Sequence, residues 1–329
     1  MTRPDYARLA TERVHPLGAE LDRMTALELV DAVLTEEATV ARAAQRCRRE
    51  IARAVDAVVE ALSRGGRLVY VGAGTSGRLA ALDAAELPPT FGADPARVVA
   101  LVAGGARAMM RSVEGAEDRA ETAVRRLRRL AIGPDDVVCA IAASGVTPFA
   151  RAALVEARQR AARTLFITCA RDPEHARLAD VVIAPQVGPE LLAGSTRMKG
   201  GTVTKMILNA LSTAVMVRLG KVYRGRMIDV QATNQKLRDR ARRIVAELTG
   251  LTPARAQRLL AAAGGKPKLA LAMHALAASA DEARARLAEV DGDLRRLVEL
   301  AAVSDPRRAS ARATTRASRG VAARSRRRS

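Results

Sequence analysis

Apolar residues recur at three-to-four spacing near the start of the chain and then gather into short continuous runs. Leu27-Glu-Leu-Val-Asp-Ala-Val-Leu34 and Ile51-Ala-Arg-Ala-Val-Asp-Ala-Val-Val-Glu-Ala-Leu62 predict two amphipathic helices. Gly65-Gly66 closes the second, because glycine accepts the left-handed conformation of a helix end. Five apolar runs follow, at residues 68–71, 98–102, 137–141, 165–168 and 181–184, with helix-period segments between them. Alternating strands and helices predict an α/β fold with a parallel sheet covered on both faces. The connections are long enough for right-handed crossovers. Residues 198–219 read as one long helix suited to burial or dimer packing. Residues from about 240 to 300 are again helical and rich in Ala and Leu, with a break at Gly264-Gly-Lys-Pro267. The pattern divides the chain into an N-terminal helical segment (1–65), an α/β domain (66–239), a small helical subdomain (240–304) and a tail (305–329).

Open parallel sheets bind ligands at the carboxyl ends of their strands. Here those ends are Gly72-Ala-Gly-Thr-Ser-Gly77, Ala103-Gly-Gly105 and Ala142-Ala-Ser-Gly-Val-Thr-Pro148. The fifth run leads through Val187-Gly-Pro-Glu190 to Gly194-Ser-Thr-Arg-Met-Lys199. Three of these four turns combine Gly with Ser and Thr. One such turn reads equally well as a helix N-cap; three on one rim favour a phosphorylated polyhydroxy ligand. The first is the strongest, since a strand, a Gly/Thr/Ser turn and a helix start present amides and hydroxyls to an anion. The helix that follows carries Glu86, and Pro88 and Pro89 predict its end. Ser76 and Glu86 are ten helical residues apart, roughly 15 Å. A phosphorylated polyhydroxy ligand the size of one sugar is shorter. Glu86 is therefore expected to serve a pocket completed by a neighbouring subunit.

Composition narrows the class. Of 329 residues 49% are apolar but only 2% aromatic, so Ala, Leu and Val must fill the core. No run reaches the ~20 apolar residues of a membrane span, and no apolar signal segment follows the N-terminus, which predicts a cytoplasmic protein. Cys47, Cys139 and Cys169 are scattered and read as buried free thiols; His15, His175 and His274 are equally dispersed, so no metal centre is expected. The net charge is +20, of which nine Arg between Pro306 and Ser329 supply +9. That tail lacks the apolar residues needed for a core and is expected to be disordered. Arg outnumbers Lys 49 to 6 amid abundant Ala, as a GC-rich coding sequence would give, so no specific nucleic-acid role is inferred.

Taken together, Gly72–Arg78, Glu86-Leu-Pro-Pro-Thr-Phe-Gly92, Val113-Glu-Gly-Ala-Glu-Asp118, Ala143-Ser-Gly-Val-Thr-Pro148, Gly194-Ser-Thr-Arg-Met-Lys199 and Val230-Gln-Ala-Thr-Asn234-Gln-Lys-Leu-Arg-Asp-Arg240 closely resemble the N-acetylmuramic acid 6-phosphate etherase family. The resemblance runs in order from about Thr11 to about Leu300 and stops before the Arg-rich tail. It implies a sugar isomerase (SIS) fold with a five-stranded parallel sheet and a homodimeric cytoplasmic enzyme of cell-wall recycling. It also implies a reaction with water and no metal or organic cofactor. The implied reaction removes the lactyl ether of N-acetylmuramic acid 6-phosphate by elimination and rehydration, giving N-acetylglucosamine 6-phosphate and D-lactate. Its two glutamates fall at Glu86 and Glu117. Glu86 is expected to donate a proton to the departing lactate, its pKa raised among Ala84, Ala85, Leu87 and Pro88. Glu117 is expected to remove the C2 proton and later activate water. Thr75, Ser76, Gly77, Ser144, Thr147, Ser195 and Thr196 are expected around the phosphate. Arg78 and Lys199 either add charge there or form surface or dimer ion pairs; Asn234 either holds the acetamide or caps a helix. Three positions depart from the family pattern: His15 for Asn, Val146 for Arg or Thr, and Gly200 for Ala. They bear on substrate contacts rather than on the acid/base pair. Two competing readings share the lineage or the chemistry. One is a non-catalytic phosphosugar sensor like glucokinase regulatory protein, which has two tandem SIS units where this chain has room for one. The other is an aldose–ketose isomerase.

Overall fold

The computed structural model describes residues 9–170, 174–230 and 235–304, which group by internal contacts into two units. One comprises the described residues up to Pro88 together with Ala93–Arg218; the other comprises Pro89–Gly92 and the described residues after Arg218. Asn234 and the tail from 305 lie outside the described residues.

Five parallel strands form the centre of the first unit. They are β1 (Leu68–Gly72), β2 (Val98–Val102), β3 (Val137–Ile141), β4 (Arg163–Ile167) and β5 (Val181–Ile183), in the order β2-β1-β3-β4-β5. Every residue of β1 and β3 is buried, which is why they read as unbroken apolar runs. Side chains alternate between faces. On one face Val69, Val71 and Val138 pack with Ala123 and Leu127 of α6 (Ala120–Arg129) and with Phe149 and Ala153 of α7 (Pro148–Gln159). Tyr70 points the other way. Its hydroxyl donates to Asp83 of α4 (Gly74–Phe91) at 3.2 Å, and Ser212 of α8 (Lys199–Arg218) donates to the same carboxylate at 3.1 Å. Burial pushes the Asp83 carboxyl above its ordinary value, against the pull of Lys205, Ser212 and Tyr70.

The strand order reverses between β1 and β3, the position at which doubly wound sheets open a crevice for ligands. The turn after β1 and the turn after β3 therefore flank it. A short helix, α5 (Arg107–Met110), follows β2.

Three helices precede the sheet: α1 (Ala26–Glu37), α2 (Val40–Arg46) and α3 (Arg48–Ser63). α1 opens with a capping box in which Thr25 and Glu28 satisfy each other's backbone amides. α3 buries Ala54, Val55, Ala57, Val58 and Ala61. The apolar stripe of α1 behaves differently from a core face: Leu27, Val30 and Leu34 are 70%, 53% and 62% exposed in the single chain.

α4 also departs from expectation. It does not stop at Pro88 but continues through Pro88 and Pro89 to Phe91. Proline's fixed φ is helical, so the ring is tolerated near a helix end; what is lost is the amide. The carbonyls of Ala84 and Ala85 thereby lose their helical donors.

The second unit contains a two-stranded hairpin, β6 (Val222–Tyr223) and β7 (Arg226–Met227), turned by Arg224 and Gly225 at φ 47° and 73°. Positive φ at both turn residues is what a type I′ two-residue hairpin loop requires. Five helices follow: α9 (Gln235–Thr249), α10 (Pro253–Ala262), α11 (Pro267–Leu276), α12 (Ala280–Ala288) and α13 (Leu294–Ser304). Their core gathers Ile228, Ile244, Val245, Leu260, Leu271, Leu287, Leu294 and Leu297.

Candidate active site

The turn after β1 depends on two missing side chains. A Cβ on Gly77 would lie 2.6 Å from the Gly72 carbonyl oxygen and 2.8 Å from Val102 Cγ1. Only glycine lets the start of α4 lie this close to the strand end. Thr75 and Ser76 sit half-buried in the first turn of the helix, where amides and dipole favour an anion. Arg78 donates from Nε to the Ala108 carbonyl at 2.9 Å, which ties it to α5.

The turn after β3 passes through Gly145 at φ 80°. Ser144 Oγ accepts from the Val146 amide at 3.5 Å. Thr147 occupies the N-cap of α7, yet its hydroxyl makes no capping bond. The plain capping role that its position suggests is thus not taken up. Next to it, the Phe149 amide donates to the Glu117 carbonyl at 2.9 Å, so the acidic turn carrying Glu117 is docked on the first turn of α7. The Glu117 side chain is exposed in the single chain, like that of Glu86. Even so, the surrounding protein pushes its carboxyl above the ordinary value, and the charges of Asp118 and Glu114 push the same way.

Ser195 and Thr196 are half-buried just before α8. Two glycines at the head of that helix bring the turns together. A Cβ on Gly200 would lie 3.5 Å from Thr196 Cβ and 3.7 Å from Ala143 Cβ, and one on Gly201 would lie 3.4 Å from Thr75 Cγ2. Thr75, the Ser144 turn and Thr196 thus converge at one place on the rim. Lys199 does not join them: it is 3% exposed and its Nζ donates to Glu36 Oε2 at 2.6 Å. Of the two roles open to it in the sequence, the structure has it in an ion pair.

Glu86 lies on α4 beyond that convergence and is exposed in the single chain. Its apolar sequence neighbours do not enclose it. Successive helical residues point about 100° apart, so Asp83 and Leu87 face inward while Glu86 faces out. Among the described residues no group of His, Cys, Asp and Glu is placed to hold a metal ion. Nor is any described helix long and apolar enough to cross a membrane.

Comparison with known proteins gives the geometry a lineage. The family model of the glucokinase regulatory protein N-terminal SIS domain matches residues 50–158, and that of the SIS domain matches residues 119–214. An N-acetylmuramic acid 6-phosphate etherase of Mycolicibacterium smegmatis is 50% identical over 291 residues, covering 88% of this chain and 98% of that protein. The chain belongs to the N-acetylmuramic acid 6-phosphate etherase family. A second such etherase, from Gloeothece citriformis, is 48% identical and covers 92% of this chain and 98% of its own length. Among solved structures, a phosphoheptose isomerase from Neisseria gonorrhoeae aligns with a TM-score of 0.46 at 17% identity, over 58% of this chain and 99% of that one.

In this etherase-family chain, sequence reasoning missed one carboxylate on the rim. Glu190, 2% exposed, accepts from the amides of Lys199 at 3.0 Å and Gly200 at 2.8 Å. Burial raises its pKa, and the same two amides pull it back. The head of α8 is thus capped by an internal anion, which leaves the hydroxyls of Ser195 and Thr196, rather than these two amides, to face a ligand. An acid shortly before a Gly-rich helix start was the available signal. His15 also belongs here: its Nδ1 accepts from the Leu17 amide, and its Nε2 lies 3.3 Å from Glu36 Oε1. His15 and Lys199 thus hold the same carboxylate.

Proposed function

We propose that this chain cleaves the D-lactyl ether of N-acetylmuramic acid 6-phosphate with water, as a carbon–oxygen lyase. The products are N-acetylglucosamine 6-phosphate and D-lactate. The observation that carries this reading is 50% identity across 98% of an etherase's length. The rim at the switch point supports it chemically, because hydroxyl-bearing glycine turns suit a sugar phosphate.

An alkoxide leaves poorly, so direct hydrolysis of the ether is slow. The ring-opened sugar carries a C1 aldehyde, which acidifies the C2 proton. A base takes that proton, the C3–O bond breaks, and the departing lactate oxygen receives a proton from an acid. Water then adds at C3 and a proton returns to C2. We assign the base to Glu117, whose carboxyl is pushed above the ordinary value and so accepts a proton more readily than a free glutamate. We assign the acid to Glu86. The acid role requires a desolvated carboxyl, and Glu86 is exposed in one chain, so this assignment requires a second chain to cover it. Thr75, Ser76, Ser144, Thr147, Ser195 and Thr196 would hold the phosphate.

A homodimer fits two further features. The outward stripe of Leu27, Val30 and Leu34 is one. The other is an apolar groove of about 610 Å³ between α2, α3 and α8, walled by Ala44, Ile51, Val55, Met206 and Ala214. A cytoplasmic location fits Cys47, Cys139 and Cys169, all buried and unpaired.

The test is lactate release from N-acetylmuramic acid 6-phosphate. Glu86→Gln and Glu117→Gln should each fold normally and lose lactate release by at least 100-fold; wild-type turnover in both would refute the assignment. Isomerised sugar phosphate without lactate would show an isomerase instead. Mixing Ser76→Ala with Glu86→Gln chains should restore one of two sites per heterodimer if sites are shared. No recovery despite subunit exchange would show a self-contained site.

A further inference from the structure

We propose that the C-terminal helical unit carries its own binding site for a phosphate monoester, apart from the glycine-turn rim. That unit encloses a cavity of about 740 Å³, lined by Lys221, Asp229, Lys266 and Lys268 among polar residues and by Ile228, Leu260, Leu269 and Leu287 among apolar ones. This volume falls in the range of small-molecule sites.

The charge inside it is unbalanced. Lys221 Nζ and Lys268 Nζ each lie 3.0 Å from the same Asp229 oxygen, Oδ2. Their side chains are 28% and 13% exposed, so both ammonium groups are held with limited access to water. One carboxylate cannot neutralise two lysines. Lys266, exposed at the cavity edge, adds a third cation whose ammonium has no partner among the described residues. Two positive charges therefore remain uncompensated, and a phosphate monoester brings about −1.5 to −2 at neutral pH. Arg238 and Arg284 also line the space and stand outside this count; Asp281 already engages Arg284.

Backbone geometry settles which groups would do the binding. The amides of Gly264, Gly265 and Lys268 are committed to the carbonyls of Ala261, Leu260 and Ile228. Recognition must then come from side chains, the lysines first among them, with the amino end of α11 adding a favourable dipole. Gly264 and Gly265, at φ 62° and 76°, have nothing within 4 Å of where a Cβ would stand, so the turn leaves the entrance open. The apolar wall suits the body of a small organic phosphate rather than a bare ion.

The experiment uses the full chain, isotopically labelled, titrated with glucose 6-phosphate and with inorganic phosphate. Saturable shifts at the Gly264, Gly265 and Leu269 amides are expected, stronger for the sugar phosphate. Lys266→Glu, at an exposed residue outside the rim, should weaken them at least tenfold without moving the melting temperature. Absence of saturation, or shifts that survive Lys266→Glu, would overturn the proposal. Turnover then identifies the source. An unchanged KM for the muramic substrate in Lys266→Glu means a separate metabolite; a KM raised several-fold at constant kcat would mean that the reacting sugar's own phosphate binds here and would overturn a site apart from the rim. The amide shifts are read without turnover, so they stand or fall independently of the etherase assignment.

Discussion

Lys199 is the residue whose surroundings differ most from what its motif suggests. It is almost fully buried, and its charge is met by Glu36, a partner 163 positions away. No local pattern discloses such a pairing, which is why a lysine beside Ser-Thr in the chain reads as a phosphate ligand. Removing the partner's charge should leave a buried ammonium uncompensated. Glu36→Gln is expected to destabilise the fold by about 3 kcal/mol, measured by denaturant unfolding. Glu117 makes a second residue-scale case. Its carboxyl is raised first by burial and then by Asp118. If it acts as the base, kcat/KM must rise with pH through that raised value, so the acid limb should lie above the ordinary glutamate value of about 4.3. Asp118→Asn removes one of the charges and should move the limb to lower pH; a limb that does not move would place the base elsewhere.

Among the elements, the strands were legible as short apolar runs, unbroken in β1 and β3, which are buried on both faces. The glycine turns were legible because the close approach of Gly77 to Gly72 admits no other residue. The end of α4 was not, since proline forbids an amide but not a helical φ. The outward face of α1 was not either, because periodicity marks an apolar stripe without saying what covers it. The hydroxyl turns remained ambiguous between capping and ligand binding, and the structure separates two cases. Thr25 caps α1 through a full capping box, whereas Thr147 makes no such bond on α7. Thr25→Val should therefore cost about 1 kcal/mol of stability and leave turnover alone. Thr147→Val should change stability by less than about 0.5 kcal/mol and raise KM several-fold. Equal stability losses in the two variants would return Thr147 to a capping role.

At the scale of the molecule, acid should be the direction of weakness. Glu36 is held below its ordinary pKa chiefly by the Lys199 hydrogen bond, and Glu156 by that of Arg128. Asp136 is pushed up by burial but held down, on balance, by Arg67 and the Gly133 amide. A carboxyl depressed in the folded chain stabilises it above the unfolded value and loses that stabilisation as pH falls through the depressed value. The melting temperature should therefore fall steadily below about pH 4. Asp83, Glu117 and Glu190, raised by burial, act in the opposite sense: their contribution is fully present below the unfolded value and is lost as pH rises through the raised one. A Glu156→Gln chain should show a shallower acid decline than the parent, in a thermal scan from pH 6 to 3; an identical slope would mean that the Arg128 and Arg160 pairs contribute nothing to it. One consequence follows from the prolines of α4. The first half of that helix is a stiff rod, fixed by the glycine contact at Gly77 and the Asp83 network. Beyond Ala85 two rungs of the ladder are missing, and the last turn is held by the burial of Leu87 and Phe91 instead. Glu86 thus sits where the hydrogen-bond ladder of α4 is thinnest, so side-chain packing, not backbone bonding, sets its position.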